Sequence, residues 1–242
     1  MRTVKDLVSH LNKYKDAVII LGPGALEVKD NYSIEEFNEN YTRKALVREP
    51  EKLWNFFIDK MYREATSKEE DLFKTIKFFE DITGLVINQN MIAHTIGNSI
   101  DLHGSIHKFI CPKCKINYTT DYIFSREPYE CECEVCGATL RPTALLSGER
   151  YNKLELNKIE DAILSTHTII LIGMDYTEEA LMKLIAHYGD VKSFINEKGE
   201  EQKVLVSIQT QEEEFDPNEM AHFEFIVRDD IQSALNRLRD NF

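Results

Sequence analysis

The 242-residue sequence predicts an open α/β fold, a doubly wound parallel sheet carrying a second, smaller domain. Three observations lead there. Short apolar runs that end in glycine or polar amides alternate with helical periodicity at both ends of the chain. A helical insert interrupts that alternation early. A compact cysteine module, Cys111-Pro-Lys-Cys114 and Cys133-Glu-Val-Cys136 with eighteen residues between the pairs, interrupts it again.

The elements follow in order. Val4, Leu7, Val8 and Leu11 recur at helical spacing over residues 3–14. Ala17–Leu21 is a buried strand closed by Gly22-Pro23-Gly24. A strand running straight into a glycine turn is how a doubly wound sheet begins, and its carboxyl end is where ligands bind. Residues 33–80 read as helical, with Ile34, Phe37, Tyr41, Leu53, Trp54, Phe57, Ile58 and Met61 on apolar faces and Phe56, Phe78 and Phe79 as core aromatics. Leu85–Asn90 is a second buried strand ending in amides, and residues 108–140 form the metal module. Thr168–Ile172 is a third strand ended by Gly173, followed by a helix over Thr177–Tyr188. Lys203–Ile208 and Phe223–Val227 are further strands, Asn196–Glu200 is a turn between extended segments, and a last helix spans Asp230–Leu238. Residues 1–32, 81–107 and 141–242 then build the sheet domain, while 33–80 and 108–140 build the small one.

Composition bounds the function. Hydrophobic residues are 43% of the chain and aromatics 10%, as in an ordinary globular protein. With 42 acids against 29 Lys and Arg, the formal charge of −13 repels phosphate backbones and anionic lipid, which argues against nucleic-acid and membrane partners. The start Met1–Asp6 lacks a secretory pattern, and the apolar runs are far too short to span a bilayer, so a cytoplasmic protein is expected. Thiols stay reduced there, and five cysteines within 26 residues read as metal ligands. Cys111, Cys114, Cys133 and Cys136 suit a closed tetrahedral structural zinc site, whose role is to fold a segment too short to bury its own core. Cys131 leaves a competing Cys131-x-Cys133 register, with Cys133–Cys136 the better geometry.

The pieces resemble the sirtuins over nearly the whole chain. Leu102-His103-Gly104-Ser105 reproduces that family's Leu-His-Gly-Ser intact, the four cysteines follow, and Cys136-Gly-Ala-Thr-Leu-Arg-Pro142 resembles its Cys-Gly-Gly-x-Leu-Arg-Pro. Gly22-Pro-Gly-Ala-Leu26 is similar to Gly-Ala-Gly-Ile-Ser, Asn88-Gln-Asn-Met-Ile92 to Thr-Gln-Asn-Ile-Asp, Ser147-Gly-Glu149 to Phe-Gly-Glu, and Gly173-Met-Asp175 to Gly-Thr-Ser. The resemblance implies NAD held between a Rossmann domain and a small domain made of a zinc ribbon and a helical module. It also implies removal of acyl groups from protein lysines with release of nicotinamide, the acyl group passing to ADP-ribose. In that chemistry His103 is the general base on a ribose hydroxyl, a task that suits an imidazole because free histidine titrates near neutrality. Gly22, Gly24 and Ala25 approach a phosphate, Gln89 and Asn90 shape the nicotinamide ribose site, and Leu146, Ser147, Gly148 and Glu149 line an acyl-lysine tunnel. Gly173 and Asp175 meet phosphate or ribose. Gln209, with Asn196 as the competing alignment, meets the adenine ribose.

Departures from the family pattern predict an NAD pocket that has been rebuilt or is decaying. Its Pro-Asp-Phe-Arg resembles Glu35-Glu-Phe-Asn38, losing the cation, and its nicotinamide-recognising Asp falls on Ile92, which accepts no hydrogen bond. Asp175 puts a carboxylate at a serine position, where its plain alternative is to cap the following helix. Pro23 lacks a backbone donor. Three functions remain in view: an NAD-dependent protein-lysine deacylase; a non-catalytic relative binding NAD, ADP-ribose or a protein partner; and an NAD glycohydrolase or ADP-ribosyltransferase.

Overall fold

A computed structural model describes residues 4–25, 32–62, 83–91, 98–127, 130–174, 183, 185, 187–188, 204–209, 223 and 225–241. The first helix, α1 (Val4–Tyr14), turns Leu7, Val8 and Leu11 onto the sheet, with no more than 6% of their surface exposed. Strand β1 (Ala17–Leu21) is buried at every position, as expected of a central parallel strand covered on both faces. Beside it lie β2 (Thr83–Asn88) and β3 (Ser99–Asp101). On the other side lie β7 (Thr168–Ile172), β8 (Val204–Gln209) and β9 (Phe225–Arg228). The order is β3-β2-β1-β7-β8-β9, every pairing parallel. Relabelled by their order within this sheet, the strands run 3-2-1-4-5-6, the Rossmann order, whose switch point falls between β1 and β7.

Period-two alternation divides each strand between two cores. Ile19, Leu21, Ile170, Val206 and Ile208 face α1 and the terminal helix Ile231–Arg239, which contributes Ile231, Ala234, Leu235 and Leu238. Val18, Ile20, Ile87, Ile169, Leu171 and Leu205 face Ile159 and Ile163 of the helix Lys153–Ser165. Each helix has a side-chain N-cap: Asn152 accepts from Leu154 N–H, and Asp230 from Ser233 N–H.

A third core lies off the sheet. Helix α2 (Ile34–Asn40) starts with a reciprocal capping box between Ser33 and Glu36, α3 (Arg43–Arg48) is capped by Thr42, and α4 (Pro50–Phe56) has proline in its first turn. A single π-helical stretch, Phe57–Tyr62, continues α4. Tyr41, Leu53, Trp54 and Phe57 pack there with Phe109, Cys111, Ile123, Cys131, Cys133 and Leu140, so the helices and the cysteine module share one core. The module's sheet is β5-β4-β6: β4 (Phe109–Ile110), antiparallel to β5 (Asn117–Tyr118) and to β6 (Arg141–Pro142).

Several sequence expectations need adjusting. β2 stops at Asn88, and β9 starts at Phe225. The short edge strand β3 and the helix Lys153–Ser165 carry no strong periodic signal and were not expected. The Asn196–Glu200 turn, Phe78, Phe79 and most of the helix expected over Thr177–Tyr188 lie outside the described residues. Among the described residues, no helix is long and apolar enough to cross a membrane.

Candidate functional site

The carboxyl ends of the strands converge at the switch point. Gly22 N–H donates to Ile172 O at 2.8 Å, Gly24 N–H to Gly173 O at 2.9 Å, and Gly173 N–H to Ile208 O at 3.0 Å. Gly173 adopts φ +59, and a Cβ there would lie 2.1 Å from Ala25 N, so only glycine lets the two loops touch. Gln89 N–H joins the same edge by donating to Leu21 O at 2.9 Å. Gly22, Gly24, Ala25, Gln89, Gly173 and the backbone end of β8 at Gln209 thus share one rim.

Gln89 is the anomaly of this rim. Its side chain is buried, with 2% of the residue exposed, yet among the described residues neither its amide oxygen nor its amide nitrogen has a hydrogen-bond partner. Orphaned buried amides are rare because each costs about 1–3 kcal/mol. Neighbouring Asn90 is held differently, its N–H donating to Asn88 Oδ1 at 2.9 Å. Asn88 in turn donates through Nδ2 to Asp101 Oδ1 at 3.1 Å, and Lys108 Nζ binds Asp101 Oδ2 at 2.8 Å. This chain ties the end of β2 to the end of β3, two residues before His103. Sequence reasoning missed Asp101 and Lys108, which sit in no motif.

His103 is half-buried just beyond β3. Leu102 N–H pairs with Asn88 O at 2.8 Å, and Gly104, at φ +73, turns the chain where any Cβ would strike Thr143 O. The segment Thr143–Leu145 is laced to the histidine loop: Leu145 N–H donates to His103 O at 2.8 Å, and Ala144 N–H to Ser105 O at 3.1 Å. Residues 146–149 therefore follow directly from the His103 loop. His103 Nε2 itself lies 3.1 Å from the hydroxyl of Tyr151, a residue the sequence reading did not single out.

In that segment Leu146 is buried, and Ser147 N–H donates to Tyr41 O at 2.8 Å. The Ser147 hydroxyl donates to Asn38 Oδ1, so two positions that depart from the sirtuin pattern touch each other. Gly148 has open space around it. Glu149 anchors the segment: its carboxylate takes two bonds from Arg141, at 2.7 and 2.8 Å, one from Arg43 at 2.9 Å and one from Leu146 N–H at 2.9 Å. Burial pushes this carboxyl up, but the donors, Arg141 first, outweigh it and hold it down to about 2. The buried Arg141 guanidinium completes its bonding with Pro142 O and Ala144 O. Ile92, Asp175 and Asn196 lie outside the described residues, as does the side chain of Gln209.

The four sulfurs of Cys111, Cys114, Cys133 and Cys136 lie within 4.8 Å of one another, and Cys111 and Cys136 approach to 3.6 Å. Zinc–sulfur bonds of about 2.3 Å in a tetrahedron put sulfurs a little under 4 Å apart, so the donor set fits a structural zinc ion with no open position. Tyr118 donates its hydroxyl to Cys133 Sγ at 3.2 Å and draws that thiol down to about 6. Cys131 is outside the cluster, buried with its thiol toward Ile123 O, which leaves Cys133–Cys136 as the second pair.

A Rossmann-order sheet with an amide and an imidazole just past the carboxyl ends of its strands β2 and β3, joined to a four-cysteine module, defines a nucleotide-fold protein with a zinc-ribbon-like appendage. The sequence profile of the Sir2 family matches residues 24–177, and the chain belongs to that family. It is 27% identical over 163 residues to an NAD-dependent protein deacylase of Mycobacterium leprae, covering 62% of this chain and 68% of that protein. With an NAD-dependent protein deacetylase of Staphylococcus aureus it shares 32% identity over 101 residues, 40% of this chain; the match spans about two fifths of the relative's length. Among solved structures, Sir2 bound to acetylated peptide superposes with a TM-score of 0.73 at 16% identity, covering 99% of this chain and 98% of that one. Sir2Tm bound to a propionylated peptide gives 0.71 at 17%, with the same coverage. These likenesses establish the architecture.

Proposed function

We propose that this chain is an NAD-dependent protein-lysine deacylase of sirtuin type, acting in the cytoplasm, with a zinc ion held by Cys111, Cys114, Cys133 and Cys136 for stability alone. The observation that carries the proposal is the amide of Gln89, buried without a partner among the described residues beside a glycine-lined rim, one residue after the Asn88 whose carbonyl accepts from Leu102 N–H next to His103. A fold retains an unpaired amide at such cost when a ligand completes its bonding. The relatives' names give NAD as that ligand.

Bound NAD would supply the ribose that receives the acyl group, in exchange for nicotinamide. The chain's own part is to bind, orient and handle one proton. Gly22, Gly24 and Gly173, which have no side chain, and Ala25, which has only a methyl, let backbone approach the phosphates. Gln89 and Asn90 orient the nicotinamide ribose, Gln209 and Asp175 serve the adenosine half, and His103 accepts a proton from a ribose hydroxyl. Leu146, Ser147 and Gly148 line the acyl-lysine path, which Glu149 holds in place through Arg141 and Arg43.

The test is nicotinamide release with and without acylated peptide, beside His103→Ala. A deacylase releases nicotinamide only with acyl-peptide, and His103→Ala abolishes it. Release without peptide makes the chain a glycohydrolase or an ADP-ribosyltransferase. No release at all, with NAD still bound by calorimetry, leaves a binding protein, a reading favoured by the Asn38–Ser147 contact that replaces the family's cation and aromatic ring.

A further inference from the structure

Resting on the reading of His103 as the base, we propose that Tyr151 is a positioning residue that sets the orientation and tautomer of the His103 imidazole. The Tyr151 hydroxyl lies 3.1 Å from His103 Nε2, and the two rings lie nearly parallel, 11° apart with centroids 5.5 Å apart. One contact fixes a ring nitrogen and the other fixes the plane, so together they leave the imidazole a single orientation.

Tyr151 is itself held from both sides. Two residues before it, Glu149 is clamped by Arg141, Arg43 and the Leu146 N–H. One residue after it, Asn152 caps the helix Lys153–Ser165 through Leu154 N–H at 3.0 Å. The Tyr151 ring packs on the sheet-face cluster that contains Leu102, the residue preceding His103. His103 is anchored as firmly by Leu145 N–H on its carbonyl and by the left-handed Gly104 that follows. A phenol and an imidazole 48 positions apart in sequence thus meet through two independently secured backbones.

The direction of the hydrogen bond follows from the groups. A phenol O–H is a better donor than a neutral imidazole N–H, and an imidazole nitrogen is a better acceptor than a phenol oxygen. Tyr151 therefore donates to Nε2, and the ring's own proton sits on Nδ1. Histidine in solution favours the opposite tautomer, so the hydroxyl reverses an intrinsic preference and leaves Nε2 without a proton in the ligand-free protein. A bound ribose hydroxyl then displaces the phenol from that nitrogen's one lone pair and gives its own proton there.

The decisive measurement is the nitrogen NMR spectrum of the histidine-labelled full-length protein, recorded where His103 is neutral and assigned with His103→Ala. Wild type should show the Nδ1–H tautomer at His103, and Tyr151→Phe, which keeps the ring but loses the hydroxyl, should revert it to Nε2–H. An Nε2–H tautomer in wild type, which needs no variant to observe, overturns the proposal. So does an unchanged tautomer in Tyr151→Phe. In turnover, Tyr151→Phe should lower kcat about fivefold at unchanged KM for acyl-peptide. A KM effect with kcat intact would make Tyr151 a substrate contact and refute positioning. If wild type releases no nicotinamide, the deacylase reading fails by itself, while the tautomer result still decides the role of Tyr151.

Discussion

Replacing Glu149 by glutamine keeps the shape of the anchor and removes its charge. In the wild type the carboxylate is held down to about 2 against an ordinary 4.5. At about 1.36 kcal/mol per pH unit, that gap is worth about 3 kcal/mol of folding stability. The figure agrees with the 3–5 kcal/mol typical when one partner of a buried ion pair is lost, here leaving the Arg141 guanidinium, 10% exposed, without its counter-ion. Arg43 adds little, because its side chain is 79% exposed. Urea denaturation at pH 7 should therefore show Glu149→Gln less stable by about 3 kcal/mol, or about 6–12 °C in Tm. The sign of the pH dependence is set by the lowered value. The stabilisation is complete above about pH 4.5 and drains away as pH falls towards 2. The gap between wild type and variant should hold steady from pH 7 to about pH 5 and narrow by pH 3. A loss below about 1 kcal/mol at pH 7, or a gap unchanged at pH 3, would refute the reasoning.

Three further outcomes are expected. Gln89→Met should stabilise the ligand-free protein by about 1 kcal/mol, by removing the unpartnered amide, while weakening NAD binding at least tenfold by calorimetry; stabilisation with unchanged affinity would remove Gln89 from the cofactor site. Gly173→Ala should cost well beyond the roughly 1–2 kcal/mol of a left-handed alanine, because its Cβ strikes Ala25 backbone. Gly148→Ala, as left-handed but in open space, should cost only that penalty, and equal losses in thermal melts would contradict the argument. Purified protein should carry one zinc per chain, lost in Cys133→Ser and retained in Cys131→Ser. A strong chelator should change the fluorescence of Trp54, which stacks on Phe109 in the core that includes Cys111 and Cys133; an unchanged signal in metal-stripped protein would sever that link.

Much of the frame was legible because a few physical signals in it are strong. β1 and, after its first residue Thr168, β7 are apolar runs ended by glycine, and strands covered on both faces read that way. The cysteine spacing gave the metal module, and burial of Cys131 away from the cluster settled the register the spacing left open. β3 escaped because three half-buried residues at a sheet edge carry no usable period. The helix Lys153–Ser165 escaped because its pattern is diluted, Leu154 lying 71% exposed while only Ile159 and Ile163 are buried. At the site, motif positions such as His103 and Gln89 were visible, but their support was not. The Tyr151 hydroxyl reaches His103 across 48 positions, and the Asn88–Asp101–Lys108 chain and the Arg141–Glu149 clamp span 7 to 13 residues through irregular turns, so none of these pairings has a periodic signature.

The strand order has a consequence for biosynthesis. β1 and β7 are neighbours at the centre of the sheet, yet about 150 residues of chain separate them. On a ribosome, β1 and β2 emerge early with one flank of β1 bare, a row of unmatched amides and carbonyls that invites pairing with other chains. Closure waits until β7 is synthesised, after the cysteine module has had time to take up its ion.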